Sequence, residues 1–306
     1  MSVILIVGFF GIILFAIGSA LFGASSDSVA YPYSSYQSAT VAASDGTDDY
    51  DYVDDDYPEE IPTITLYKDD TDIGRGNLIL INPEHEFIIP DDIDLFTVAN
   101  YEVEATTVYY DGFQLLRHII APLDRMKSSY ASETDPGNVA IISAFRSFEA
   151  QQEMQERRGH YAADPGYSEH HSGLAIDLGI WAEGYLGRFT GTDTATWFAQ
   201  NSYRYGFILR YPEDRTHITN TPYEPWHFRY VGLPHSYVMF QRDLVLEEYI
   251  DLLRSHTIYN PLIVEHDGQT YEIYFTTERV ITFPMDTVFD ISGNNVDGFI
   301  ITIMHQ

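Results

Sequence analysis

The sequence predicts an α+β fold: a small mixed or antiparallel sheet with flanking helices, followed by a small β-rich appendage at the C-terminus. Three observations predict it. Short apolar runs of strand length and stretches of helical spacing are interspersed without strict βα alternation. The chain after Asn260 is rich in β-type segments separated by turn signals at Asp267-Gly268 and Gly293-Asn294-Asn295. Globular patterning starts only near Thr63, so the 306 residues hold one substantial domain plus appendages.

Taken in order, the chain divides at residues 1–23, 24–62, 63–258 and 259–306. Val3 to Gly23 is an unbroken run of apolar and small residues, about the length that crosses a hydrocarbon core of roughly 30 Å as a helix. It lacks the polar face of a helix packed inside a soluble core. It reads as an uncleaved anchor. The alternative is a secretion signal cut at the small residues near Gly23 to Ser26. No Lys or Arg precedes Lys68, so flanking charge does not orient it. Residues 24–62 are rich in Ser, Tyr and Asp and lack basic residues, which predicts a solvated, disordered tether; its tyrosines are otherwise a partner-binding motif.

Within the globular part, Asn77 to Asn82 predicts a short buried strand, and the spacing of Leu116, Ile119, Leu123 and Met126 a helix. Val139 to Ala144 predicts a strand, Ser147 to Arg157 a helix with Ser147 as its N-cap, and Gly173 to Trp181 a strand. Thr194 to Tyr205 predicts a helix, Trp226 to Val231 a strand, and Tyr237 to Arg254 one helix. Pro261 to Glu265, Thr270 to Phe275 and Gly298 to Ile303 predict the strands of the tail.

Composition narrows the chemistry. A formal charge of −30, from 46 acidic against 16 basic residues, argues against nucleic acid as a partner. It also leaves hydrophobic insertion as the only plausible membrane contact. The absence of cysteine excludes thiolate metal sites, thiol catalysis and disulfides, so any metal is held by His and carboxylates.

Two segments carry candidate chemistry: Ser168-Glu169-His170-His171-Ser172-Gly173-Leu174-Ala175-Ile176-Asp177, and Tyr223-Glu224-Pro225-Trp226-His227-Phe228-Arg229-Tyr230. On a strand starting near Gly173, Leu174, Ile176 and Leu178 face one way and Ala175 and Asp177 the other. A carboxylate there is costly to desolvate unless paired or metal-bound. His170 precedes that strand at a turn. Pro225 keeps Glu224 out of a helix and ends a loop, while His227 and Arg229 share one strand face. Two histidines and a carboxylate suit a catalytic zinc with a fourth position for water, and a non-ligating glutamate suits a general base. Surface or core-satisfied histidines remain the alternative at this point.

These segments, with Ser143-Ala144-Phe145-Arg146-Ser147 upstream, resemble the VanY-type D-alanyl-D-alanine carboxypeptidases and their VanX-like dipeptidase and L,D-carboxypeptidase relatives, over roughly Gly76 to Ser236. The resemblance implies one zinc ion held by His170, Asp177 and His227, and the apolar run Val3 to Gly23 predicts a membrane-tethered enzyme with its catalytic domain extracytoplasmic. It implies Glu224 as catalytic base and Arg146 as the group that binds substrate and stabilises the oxyanion. Ser168 would hold the substrate terminus. Gln151, one turn after Ser147, and Arg210, in Arg210-Tyr211-Pro212, are further substrate-site candidates. The alternatives are a solvated helix face for Gln151 and a surface ion pair with Glu149 for Arg146. The implied reaction removes the terminal D-alanine from peptidoglycan stem pentapeptides. An L,D-carboxypeptidase acting on the tetrapeptide, or a noncatalytic wall-binding module, are the other readings. Ala144-Phe145 stands where the family usually has Gly-Tyr, and His171-Ser172 where it has Gln-Thr. His171, adjacent to His170, is expected to point away from the metal.

Overall fold

A computed structural model describes residues 62–101, 107–134, 139–182 and 185–305. The expected anchor and nearly all of the expected tether lie outside these residues. Among the described residues no helix is long and apolar enough to cross a membrane.

The described residues begin with β1 (Thr63–Tyr67), β2 (Leu95–Thr97), β3 (Thr107–Val108), β4 (Gln114–Leu116) and α1 (Arg117–Glu133). It continues through β5 (Val139–Ser143), α2 (Phe148–Arg158), β6 (Ala175–Ala182), β7 (Tyr185–Gly187), α3 (Asp193–Asn201), β8 (Phe207–Leu209), α4 (Thr216–Thr219) and β9 (His227–Tyr230). The last part comprises α5 (His235–Arg242), α6 (Leu246–Leu253), β10 (Leu262–His266), β11 (Gln269–Thr276), β12 (Val280–Pro284), β13 (Val288–Gly293) and β14 (Phe299–His305).

A six-stranded mixed sheet carries the order β3-β5-β6-β9-β8, with β7 also on β6. Only the β3–β5 pair is parallel; the rest run antiparallel. Leu174, just before β6, and Ile176 and Leu178 on one face of it join a core with Ile119, Ile120, Leu123 and Met126 of α1, as the alternation predicts. Asp177 is thereby turned to the opposite face. A four-stranded antiparallel sheet, order β10-β11-β14-β13, forms the C-terminal part. Its first hairpin turns at Asp267 (φ 50°) and Gly268 (φ 76°), the two left-handed positions that a tight hairpin turn requires.

Three expectations are corrected. Asn77 to Asn82 is buried but not a strand, because side chains take its backbone groups. Arg229 donates to the carbonyls of Asn77 and Ile79, Leu78 donates to Ser292 Oγ, and Asn295 donates to the Leu80 carbonyl. The single helix expected over Tyr237 to Arg254 is two, α5 and α6. Asp243 adopts a left-handed conformation (φ 53°) that ends the first, and the Glu248 carboxylate accepts the Val245 N–H to start the second. The division at residue 258 does not coincide with a break in packing. Val238 and Met239 of α5 and Leu246, Tyr249, Ile250 and Leu253 of α6 share one apolar cluster with Leu262, Val264, Ile273 and Ile300. In addition, β1 pairs with β12, so the start of the globular chain is bound into its end.

Candidate metal centre

Strand pairing brings the two candidate segments together. In the β6–β9 ladder Asp177 is directly opposite His227, and in the β5–β6 ladder Ser143 is opposite Asp177. A bulge at Ile142 shifts the latter register, a device that re-aims the chain where β5 runs toward Arg146. His170 rides on a short 3-10 turn, Glu169–Ser172, which Gly173 ends in a left-handed conformation (φ 69°). A Cβ at residue 173 would stand 3.0 Å from Leu95 and 3.3 Å from the Leu116 nitrogen. Only glycine fits that turn without strain.

One donor atom each from His170, Asp177 and His227 lie within 4.8 Å of one another. Asp177 Oδ2 is 3.4 Å from His170 Nε2, and Oδ1 is 2.9 Å from His227 Nδ1. Both rings are buried, and the other nitrogen of His170 is buried without a hydrogen-bond partner. A cluster of two buried imidazoles and one partly buried carboxylate, with no thiolate, fits a zinc ion of the catalytic type.

The electrostatics agree with a cation site. Burial alone would raise Asp177, but His170 and His227 hold its carboxyl well below the usual carboxylate range. Burial likewise opposes charge on His227, yet its hydrogen bonds to Asp177 and Glu169 push it up to about 9. His170 is shifted downward by burial, which outweighs the pull of Asp177. Without a metal, the cluster therefore holds a proton where a cation would sit.

Glu224 Oε2 is 3.8 Å from His227 Nδ1, and its side chain is partly exposed. Burial raises its carboxyl above the ordinary value; His227 pulls in the opposite direction. Pro225 shapes the local turn: the Glu224 carbonyl accepts from the His227 N–H at 3.1 Å, and the Glu224 N–H donates to Tyr211. Arg146 follows β5 and is held at both ends. Its N–H donates to the His170 carbonyl and its carbonyl accepts from His171 Nδ1 at 2.7 Å. Its guanidinium donates to Gln151 Oε1 at 2.6 Å and to Ser143 Oγ at 2.9 Å. These bonds replace the alternative ion pair with Glu149.

Ser168 is buried beside this turn, immediately before it in the chain. Ser147 caps α2 through Ala150, as expected. His171 faces away from the cluster, accepting at Nε2 from the Gly166 N–H and donating from Nδ1, so it pins the Arg146 loop.

Two candidates are corrected. Gln151 is fully buried behind Arg146, with Oε1 engaged by Arg146 and Nε2 by the Ala163 carbonyl. Its amide is consumed in positioning Arg146 and is not presented to substrate. Arg210 is also fully buried. Its Nε donates to Glu169 at 2.7 Å and its two other nitrogens fork onto Glu247 at 2.9 and 2.7 Å. A guanidinium so engaged is a structural counter-charge.

The residue that sequence reasoning missed is Glu169. It lies fully buried, accepts from Arg210 and Arg229 at 2.7 Å each, and contacts His227 Nε2 at 3.2 Å. Burial would raise its carboxyl, but the two arginines and His227 hold it well below the usual range. Its only signal is its place between Ser168 and His170, which is faint in so acidic a chain.

A family model described as VanY, D-alanyl-D-alanine carboxypeptidase, matches residues 113–233. The chain is 35% identical over 238 residues to a D-alanyl-D-alanine carboxypeptidase of Enterococcus faecium, covering 76% of each protein. It is 32% identical over 215 residues to a D-alanyl-D-alanine carboxypeptidase of Enterococcus faecalis, covering 63% of this chain and 72% of the other. Its fold matches the crystal structure of the vancomycin resistance D,D-dipeptidase VanXYg in complex with a D-Ala-D-Ala phosphinate analogue. That match has a TM-score of 0.70 and 29% identity, and covers 80% of this chain and 99% of the other.

Proposed function

The chain belongs to the VanY family of D-alanyl-D-alanine carboxypeptidases and is a zinc peptidase, and we propose that His170, Asp177 and His227 hold the metal while Glu224 and Arg146 carry the reaction. The observation that carries this reading is the convergence of Asp177, His227, His170 and Glu224 from two ladder-paired segments at one buried point. The substrate is a peptide ending in D-Ala-D-Ala, which in a cell wall is the stem pentapeptide.

Zinc, when bound, supplies Lewis acidity that activates a water and polarises the scissile carbonyl. Glu224 takes the proton from the attacking water. Its partly buried carboxyl, raised above the ordinary value, brings its basicity nearer to neutral pH, where a base works best. It then returns that proton to the leaving D-alanine amine. Arg146, locked by Gln151 and Ser143, directs its remaining N–H groups at the negative charge that develops on the carbonyl oxygen. The hydroxyl of Ser168, next to the turn that carries His170, is the group for the substrate's terminus.

Stem peptides lie outside the cytoplasmic membrane, so we place the catalytic unit there, held by the apolar run Val3 to Gly23. That run's length and unbroken apolar character support the placement. The test of the function is product analysis on purified pentapeptide and tetrapeptide muropeptides, with and without chelator. Release of one D-alanine from the pentapeptide alone, abolished by chelator, is the expected result. Cleavage of the tetrapeptide alone would replace this reading with the L,D-carboxypeptidase.

A further inference from the structure

All of the metal and reaction residues fall inside the family-matched segment, but the chain of hydrogen bonds that begins at His227 and passes through Glu169 and Arg210 leaves it at Glu247. Nδ1 of that ring faces Asp177 and Glu224, on the side open to the cluster. Nε2 faces the opposite way, onto Glu169 Oε2 at 3.2 Å. The second oxygen of Glu169 is gripped by Arg210 and Arg229. Arg210 is then forked by Glu247 of α6, whose Oε1 also accepts from Asn82 Nδ2 at 3.1 Å. Two carboxylates and two guanidiniums thus form a neutral, desolvated quartet behind a single imidazole.

Such a quartet is weak evidence for stability, because well-packed apolar residues serve a core as well or better. Its geometry points to another role. A neutral imidazole has one N–H and one lone pair, and whichever nitrogen is held by an acceptor leaves the other free to ligate. An ionised carboxylate behind the ring is an acceptor only. We propose that Glu169 and Glu247 are positioning residues of the metal centre. Glu169 accepts the Nε2–H of His227 and so commits Nδ1 to zinc, and Glu247, through Arg210, fixes Glu169 in that place. The inference rests on His227 being a ligand and extends the site's support to α6, outside the matched segment.

Glu169→Gln separates the positions of charge and shape. Its amide oxygen stays on the arginines, which presents its NH₂ to His227 Nε2 and forces that nitrogen to accept. Glu247→Gln touches no ligand and weakens only the Arg210 fork. Zinc affinity, read by chelator competition, is expected to fall about 10–100-fold in Glu169→Gln and by a smaller factor in Glu247→Gln. In the zinc-loaded wild type, ¹⁵N spectra of the histidines should show a protonated Nε2 on His227, and that signal should be lost in Glu169→Gln. If Glu169→Gln does not fold, Glu247→Gln and the wild-type spectrum decide. Unchanged zinc affinity in the folded variants, or an unprotonated His227 Nε2 in the zinc-loaded wild type, overturns the inference alone. A wild-type chain that binds no zinc overturns the metal reading and this inference together.

Discussion

Both ring nitrogens of His227 face carboxylates, Asp177 at 2.9 Å and Glu169 at 3.2 Å, which is why its imidazolium persists to about pH 9 in the metal-free protein. Zinc requires the neutral ring, so below that pH each ion bound displaces a proton. Apparent zinc affinity should therefore rise about tenfold per pH unit between about 6.5 and 8.5 and level off near 9, by the linkage of about 1.4 kcal/mol per unit. His170, shifted downward by burial, adds nothing in that window. Chelator competition across pH checks this, and a flat profile would show that His227 does not exchange its proton for the metal. At this scale Asp177 was legible in the strand alternation, and the family motif assigned the two histidines. Glu169 was not legible, and neither were the positions that Gln151 and Arg210 take, because each bonds another side chain that only tertiary contact brings near.

The elements around the site are set by local rules that leave clear marks in sequence, and where they fail the cause is specific. The helix α2 begins at its serine cap, and β6 buries its alternate residues as patterned. The segment 77–82 has strand composition but no ladder partner; Arg229, Ser292 and Asn295, distant in sequence, take its hydrogen bonds. The strands β12 and β13 were not anticipated: β12 is only five residues long and ends in Pro284, and Asp290 interrupts the apolar pattern of β13. The most sensitive element is the turn that carries His170. Gly173→Ala adds a Cβ against Leu95 and the Leu116 backbone at a positive φ, and should cost about 1–3 kcal/mol. A melting temperature lowered by several degrees, with weakened zinc binding, is the expected outcome in calorimetry and chelator titration. An unchanged melting temperature would mean that the turn relaxes freely and does not fix His170.

At the scale of the whole molecule the fold class read from sequence holds, but the C-terminal sheet is part of the body that supports the site. Beside the cluster joining α5 and α6 to β10, β11 and β14, the buried His235 bonds Tyr249 at 2.8 Å and contacts Thr302 at 3.2 Å. The tail's position was not legible, since its strands alternate as well on a separate module as on a shared core. A chain cut after residue 258 should lose cooperative unfolding by circular dichroism, because it strips one face from α5 and α6. A sharp transition in that fragment would restore the tail to an appendage. The central claim is that His170, Asp177 and His227 hold a metal that Glu224 serves as base. The direct measurement compares zinc content and turnover of a D-Ala-D-Ala peptide in Glu224→Ala and His227→Ala. The account predicts that Glu224→Ala keeps stoichiometric zinc while turnover falls at least 100-fold, and that His227→Ala loses both. Near wild-type turnover in Glu224→Ala, or full zinc in His227→Ala, would contradict it.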